Sequence, residues 1–451
     1  MASTTSPDSA SARLGEFVIG FDGKALPGAM RHEAKRAILN FFGVALGGGF
    51  DPAGRQAFEV IAPMAGQPAA TVIGYRQQLD VLNAAFMNAL NANVLEFDDT
   101  HMPTVIHPTS PVAPPLFALA EGTKVSGEAF LEAFVLGVEV ACRAGNSVSP
   151  GHYSRGWHIT ASCGVMGAAA ACARLMGLSA AQAAHAIGIA ASQSAGLVEN
   201  LPTGAKNVQV GNSARGGLLA ALLAQAGYTA APQAIEGPRG WAKASGDTPD
   251  MTALLGGLGQ TWELAKNAIK AYPCGIVLAP VIDACLDLRR DHKLKADDVA
   301  NVTVRGNSLL LARADRPQVP DDRISKLSIQ HSAAIVFVRG AAGVTEYAAI
   351  DDPAIVAFRG KVTAQADDTV PIEAAVVTVQ TSDGRTLTAH VKQARGSLER
   401  PLSDADIEAK ARELARLGGT GVAIDPIVDA IWSMDRSTDA GAIMKLAMPK
   451  A

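Results

Sequence analysis

Apolar residues recur at three- and four-residue steps through Leu14 to Phe21 and again through Met30 to Leu46, the period of a helix with one buried face. Pro27 suits the first turn of the second of these. Ala70 to Tyr75 reads as a short β-like piece, and Leu79 to Leu95 as helix again. A polar stretch, 96–108, interrupts the pattern. An apolar, proline-interrupted run follows from Pro111 to Ala120. Helical periods then return over Phe130 to Ala144, Ala161 to Met176, Ala180 to Ser192 and Asn212 to Ala226. Ser179 with Gln182 predicts a capping box for the third of these. Glycine and proline cluster in 227–240 and mark a long connection.

The pattern changes near residue 270. Val281 to Leu288 is still helical, but Val299 to Arg305 alternates like a strand. Ile372 to Gln380 and Thr386 to Val391 are β-rich runs flanking SDGR, whose Asp383-Gly384 pair is a hairpin-turn signal. Ser328 to Val338 lies between the strands as a helix. Helical periods resume over Ser403 to Leu417, with Ser403 and Asp406 as a capping box, then over Ile424 to Met434 and Thr438 to Met448. The expected fold is mainly α: a helical domain over 1–268, a smaller α+β domain over 269–402, and C-terminal helices over 403–451 that pack back on the first. With 451 residues, two cores are the natural expectation.

Composition narrows the function classes. Hydrophobic residues make up 48 % and charged ones 18 %, which places the chain among well-buried globular proteins. Aromatics are only 5 %, so Ala and Gly must supply close helix–helix approach. A net charge of −4 without a basic block argues against nucleic acid as a partner. MASTTSPDSASA has no apolar core of a signal peptide, and residues 1 to about 10 are expected to be disordered. The run Ile159 to Ala173 falls short of the roughly 20 apolar residues of a membrane span and is expected to be a buried helix. Five cysteines, an odd number without a CxxC pair, point to a reduced cytoplasmic setting rather than a disulfide framework, an iron–sulfur cluster or a structural zinc.

Candidate chemistry concentrates in EFDDTHMPTVIHP, Glu96 to Pro108. Asp98, Asp99, His101 and His107 have the donor types of a divalent-metal site, although nothing nearby completes a set. Asp98, Asp99 and Thr100 also suit turn capping. A third reading is proton transfer, since a histidine oriented by a carboxylate is the usual acid/base pair. His158, just after Trp157 and before the Ala/Gly helix, is either a partly buried helix-start residue or a second acid/base or anion-binding group. Lys206, in a glycine-containing turn ahead of the helix at 212, and Lys270 in KAYPCG could bind carboxylates together with Arg215. No GxGxxG follows a strand, and neither a P-loop nor GxSxG occurs, which disfavours nicotinamide, ATP and serine-hydrolase chemistry.

Taken in order, EFDDTHMPTVIHPTSPV, GWHITASCGVMGAAAACARLMGLS, GAKNVQVGNSARGG, KAYPCGIVLAPVIDACL and SKLSIQHSAA resemble the signature segments of the MmgE/PrpD family. That family contains 2-methylcitrate dehydratase, cis-aconitate decarboxylase and iminodisuccinate epimerase. The likeness runs from about residue 14 to 435. It implies a large all-helical domain with a smaller α+β lid, an active site in the cleft between them, neither metal nor organic cofactor, and a homodimer. By position it places Glu96 where relatives carry an active-site Asp. It puts Thr100, His107, His158, Lys206 and Lys270 on positions assigned to the site in the decarboxylase branch. Relatives carry histidines where this chain has Gly275 and Ala279, which leaves Cys274 as the reactive residue type there.

The three reactions share proton movement next to a carboxylate of a small polycarboxylate. The expectation is a cofactor-independent lyase, first of all a dehydratase of a 2-methylcitrate-like hydroxy acid. An epimerase of a dicarboxylate such as iminodisuccinate, a decarboxylase and a non-catalytic polycarboxylate binder are the alternatives. In this reading His107 and His158 are the acid/base pair, Glu96 and Asp99 orient them, and Thr100 is a hydrogen-bond donor. Lys206, Lys270 and His101 bind substrate.

Overall fold

The computed structural model describes residues 9–49 and 51–450. The expected disorder at the N-terminus falls, for residues 1–8, outside the described residues; from Ala10 the chain is helical. The chain divides into two compact units. The first comprises Met1–Val94, Asp98–Asn267 and Ser403–Ala451; the second comprises Leu95–Phe97 and Ala268–Leu402. The protein is mainly α, with its four-stranded sheet in the second unit.

The first unit is a stack of helices held close by small residues. The central pair, Gly127–Val148 and Ile159–Leu175, meets at Gly137 and Gly167. A β-carbon on Gly137 would lie 2.8 Å from the Gly167 carbonyl oxygen, and one on Gly167 would lie 2.5 Å from that of Gly137. The helix Ala205–Gln225 packs on Ile159–Leu175 in the same manner, with Gly217 against Ala168 and the Val165 carbonyl. Asp404–Gly418 lies against Gly28–Gly48, where Gly43 faces the Ala411 backbone and Arg36 pairs with Asp404. Side chains the size of leucine at these crossings would separate the helix axes.

Sequence periodicity locates most of these helices, and both capping boxes form as expected, at Ser179/Gln182 and Ser403/Asp406. Three segments differ. The proline-rich run is one helix, Thr109–Gly122, with Pro114 and Pro115 inside it. The helix expected from Asn212 begins at Ala205, so Lys206 stands in its first turn. Gly211, which reads as a turn residue, is there because a β-carbon would come within 2.8 Å of the Phe86 ring. The stretch Thr438 to Met448 splits into two short helical pieces, Ala440–Ala442 and Ile443–Leu446. Among the described residues, no helix is long and apolar enough to cross a membrane.

In the second unit Val299–Gly306 is one of two inner strands, antiparallel to the other, Ala375–Thr381, and parallel to Val362–Ala366. Ala375–Thr381 continues through the Ser382–Arg385 turn into Thr386–Val391, with Gly384 at φ +89° supplying the left-handed position. Val302, Val304, Val377 and Val379 are buried with Ile282 and Cys285 of the helix Ala279–Asp291 and with Ile335 and Val336 of Ile329–Arg339. Val362–Ala366 carries no clean alternation because it is an exposed edge, with one buried residue in five. Its parallel pairing is made possible by the long crossover that contains Ile329–Arg339.

Candidate active site

In the first unit, three helix starts and one loop converge on the histidines. The loop Asp98–His107 closes on itself: the His101 N–H donates to the Ile106 carbonyl at 2.7 Å, and the Val105 N–H to that of His101 at 2.8 Å. Val105 sits at φ +56°, a rare conformation for a β-branched residue, which these bonds hold in place. The His107 N–H donates to Thr160 Oγ1 at 3.1 Å. Thr160 lies two residues beyond His158, so this bond ties the loop to the start of Ile159–Leu175.

His107 Nδ1 lies 2.6 Å from the Asp99 main-chain carbonyl, which only accepts, so Nδ1 carries the proton and Nε2 the lone pair in the neutral ring. Thr100 Oγ1 lies 3.2 Å from the same nitrogen, and the Asp98 carboxylate 3.6 Å. Asp98 accepts from Asn93 Nδ2 at 2.6 Å, and Asn93 Oδ1 accepts from Asn207 Nδ2 at 3.1 Å. Asn207 adjoins Lys206, so this chain of bonds leads from the His107 loop to the first turn of Ala205–Gln225. From the next turn Gln209 reaches His158 Nδ1 at 2.7 Å. His158 occupies the N-cap position of its helix, and its side chain turns to Gln209 instead of capping. His158 and Lys206 are each 3 % exposed, so charge placed beside them acts in a poorly solvated setting.

The other predicted site residues divide. Asp99 does not orient His107 through its carboxylate, which is fully buried and accepts from Thr109 Oγ1 at 2.5 Å and Asn267 Nδ2 at 2.6 Å. Its main-chain oxygen does the orienting. Burial lifts the Asp99 carboxyl to about 6, against the opposing bonds from Thr109 and Asn267. His101 has no exposed surface, and both of its ring nitrogens are engaged, with Thr104 Oγ1 at 2.7 Å and Glu263 Oε2 at 2.9 Å. Burial pushes its pKa down. Burial also opposes ionisation of Glu263, but bonds from His101, Lys266 and Asn146 outweigh it and bring the carboxyl to about 2. The pair is therefore a neutral imidazole donating to a carboxylate, and its position is that of a buried support under the loop. The four donors weighed as metal ligands thus turn to different partners. Among the described residues no group of three or more His, Cys, Asp or Glu could hold a metal ion.

Glu96 and Lys270 belong to the second unit. Lys270 Nζ lies 3.2 Å from the Glu96 carbonyl and 3.5 Å from its carboxylate, and Lys270 is 2 % exposed. Glu96 adopts φ +56°, a left-handed conformation disfavoured by a side chain and stabilised here by that lysine. Cys274 is buried, and burial pushes its thiol up to about 12, so it is a protonated core residue at neutral pH. Gly275 has φ −56° and ψ 132°, a conformation open to any residue, so its lack of a side chain is not imposed by the backbone.

Sequence reasoning missed the roles of Asn93, Asn207 and Gln209, and gave Asp98 no part in the proton-transfer reading. The one signal available was helical spacing: Lys206 and Gln209 are three apart and share a face once the helix starts at Ala205.

Comparison with known proteins shows the family. The family description MmgE/PrpD N-terminal domain matches residues 12–253, and MmgE/PrpD C-terminal domain matches 272–433. The cis-aconitate decarboxylase-like protein oryM of Aspergillus oryzae is 27 % identical over 98 % of both chains. The cis-aconitate decarboxylase of Aspergillus terreus is 28 % identical, covering 93 % of this chain and 92 % of its own. The human cis-aconitate decarboxylase is 26 % identical over 80 % of this chain and 78 % of its own. With family matches that cover most of its length, this chain belongs to the MmgE/PrpD family.

Proposed function

We propose that this protein is a cofactor-independent lyase that moves a proton at a carbon next to a carboxylate of a small polycarboxylate. One observation carries the reading: two histidines on separate segments are tied together through the His107–Thr160 bond, and each meets a protein acceptor at Nδ1, which sets a neutral tautomer with its lone pair on Nε2. A protein that only bound polycarboxylates would need cations, not two histidines of set tautomer. Lys206, and Lys270 in the other unit, are the proposed carboxylate-binding cations, and Glu96 is proposed to position Lys270.

Within the lyases, decarboxylation of a cis-aconitate-like tricarboxylate takes first place, because the relatives at 25–28 % identity are named for that reaction. The electron pair of the breaking C–C bond stays on carbon as CO2 leaves, and an imidazolium, His107 or His158, delivers the proton to the carbanion. Dehydration of a 2-methylcitrate-like hydroxy acid is the second reading. It stands beside decarboxylation because Gly275 and Ala279 put no titratable group where relatives carry histidine, so likeness to the named relatives does not by itself fix the reaction. In it one histidine removes the proton and the other protonates the departing hydroxyl.

Proton NMR in heavy water, with cis-aconitate, 2-methylcitrate, citrate and iminodisuccinate each added to chelator-treated protein, separates the readings. Itaconate establishes decarboxylation, and new alkene signals from either hydroxy acid establish dehydration. Deuterium in recovered or epimerised iminodisuccinate would replace both with an isomerase. A rise in melting temperature with every compound unconsumed would leave a binding protein.

A further inference from the structure

We propose that Gln209 is a positioning residue that sets the tautomer of His158. This rests on the reading of His158 as a proton-transfer group. Gln209 projects from the second turn of Ala205–Gln225. Its Nε2 donates to the Leu197 carbonyl at 3.3 Å, and its Oε1 lies 2.7 Å from His158 Nδ1. The carbonyl can only accept, so the amide nitrogen must face it, and turning the amide over would set two oxygens against each other. The oxygen therefore faces the imidazole, and His158 Nδ1 must be the donor. The neutral ring then has its lone pair on Nε2.

The surroundings are built to hold this geometry. Residues 196–198 run beside 156–158: the His158 N–H donates to the Gly196 carbonyl at 3.0 Å, and the Val198 N–H donates to that of Gly156 at 2.8 Å. This pairing brings the Leu197 carbonyl to where it fixes the amide. Gly196, at φ +125°, is required for the close approach. A β-carbon there would stand 3.1 Å from Gln209 Oε1 and 3.2 Å from His158 Cβ. A neutral amide, unlike a carboxylate, fixes the proton on Nδ1 without adding a charge that would hold the ring as imidazolium. It suits a histidine that must gain and lose its Nε2 proton within one turnover.

The test reads the ring directly. Nitrogen-15 NMR of histidine-labelled protein, with His158 assigned by its loss in His158→Ala, should show Nδ1 protonated and Nε2 bare above the titration midpoint. In Gln209→Met, which keeps length and removes the acceptor, the Nε2–H tautomer should become populated. Turnover of whichever compound in the panel is consumed should fall 10- to 100-fold in kcat with little change in KM. Gln209→Glu restores an acceptor and should restore the tautomer while moving the His158 midpoint up by about one unit, since a carboxylate favours the charged ring. An Nε2–H tautomer in the unaltered protein overturns the proposal. So does a Gln209→Met variant with an unchanged tautomer, or one with a changed tautomer and unchanged kcat. The tautomer is measured without substrate. If it is as stated while His158→Ala keeps full turnover, the catalytic role of His158 fails and the positioning role falls with it, whereas the hydrogen-bond geometry stands.

Discussion

His107 and His158 each meet an oxygen that cannot donate, one of a main-chain carbonyl and the other of a side-chain amide. Replacing either by alanine should lower kcat about 100-fold or more, the usual loss of a proton-transferring side chain, with the melting temperature changed little. A folded His158→Ala variant with less than a tenfold loss would argue against its role. Asp99 has a different consequence. Its folded carboxyl, at about 6, stands above its ordinary 3.8, so the folded chain binds this proton more tightly than the unfolded chain. The contribution to stability is full below pH 3.8 and is lost as pH rises through about 6, by up to about 3 kcal/mol. Urea denaturation of both proteins at several pH values should show this fall, complete by about pH 7, in the difference between wild type and Asp99→Asn, and an unchanging difference across pH 4–7 would count against it. The two histidines and Asp99 were legible as candidates from residue type alone. Which oxygen of Asp99 faces His107 was not, because the main-chain carbonyl carries no mark in a sequence.

Among the elements, helices with an apolar period were readable to within a few residues at most ends, and both capping boxes stand where Ser and Gln or Asp recur at three-residue spacing. Misreadings came at glycine and proline. Gly211 resembles a turn residue, yet it sits inside Ala205–Gln225 against Phe86, and Gly217, within the expected helix, is its point of contact with Ala168. At Gly217 a β-carbon would come within 2.4 Å of Ala168 Cβ and 2.7 Å of the Val165 carbonyl, an atom that cannot rotate away. Gly217→Val should therefore destabilise the protein by about 2 kcal/mol or more. It should also reduce turnover, because the same helix carries Lys206 and Gln209. Calorimetry and kinetics on one preparation check both. A variant with an unchanged melting temperature would show that the crossing has room to spread.

For the whole molecule, the change of pattern near residue 270 anticipated an α+β region, and the structure puts a four-stranded sheet under two helices there. We propose a homodimer, as the family resemblance implies. Sedimentation equilibrium should then return about twice the 46.4 kDa of one chain at micromolar concentration. A mass of one chain at every concentration would count against it.

The sequence by itself determined the helical character of the first unit, the sheet of the second, and a short roster of histidines, lysines and carboxylates. These depend on local periodicity and residue type, which a linear chain displays. The tertiary structure alone decided which of them work together. It buried His101 on Glu263, turned the Asp99 carboxylate to Thr109 and Asn267, and brought Gln209 to His158 across 51 residues. Hydrogen bonds depend on distance and direction in space, and close helix crossings made by glycine and alanine set both.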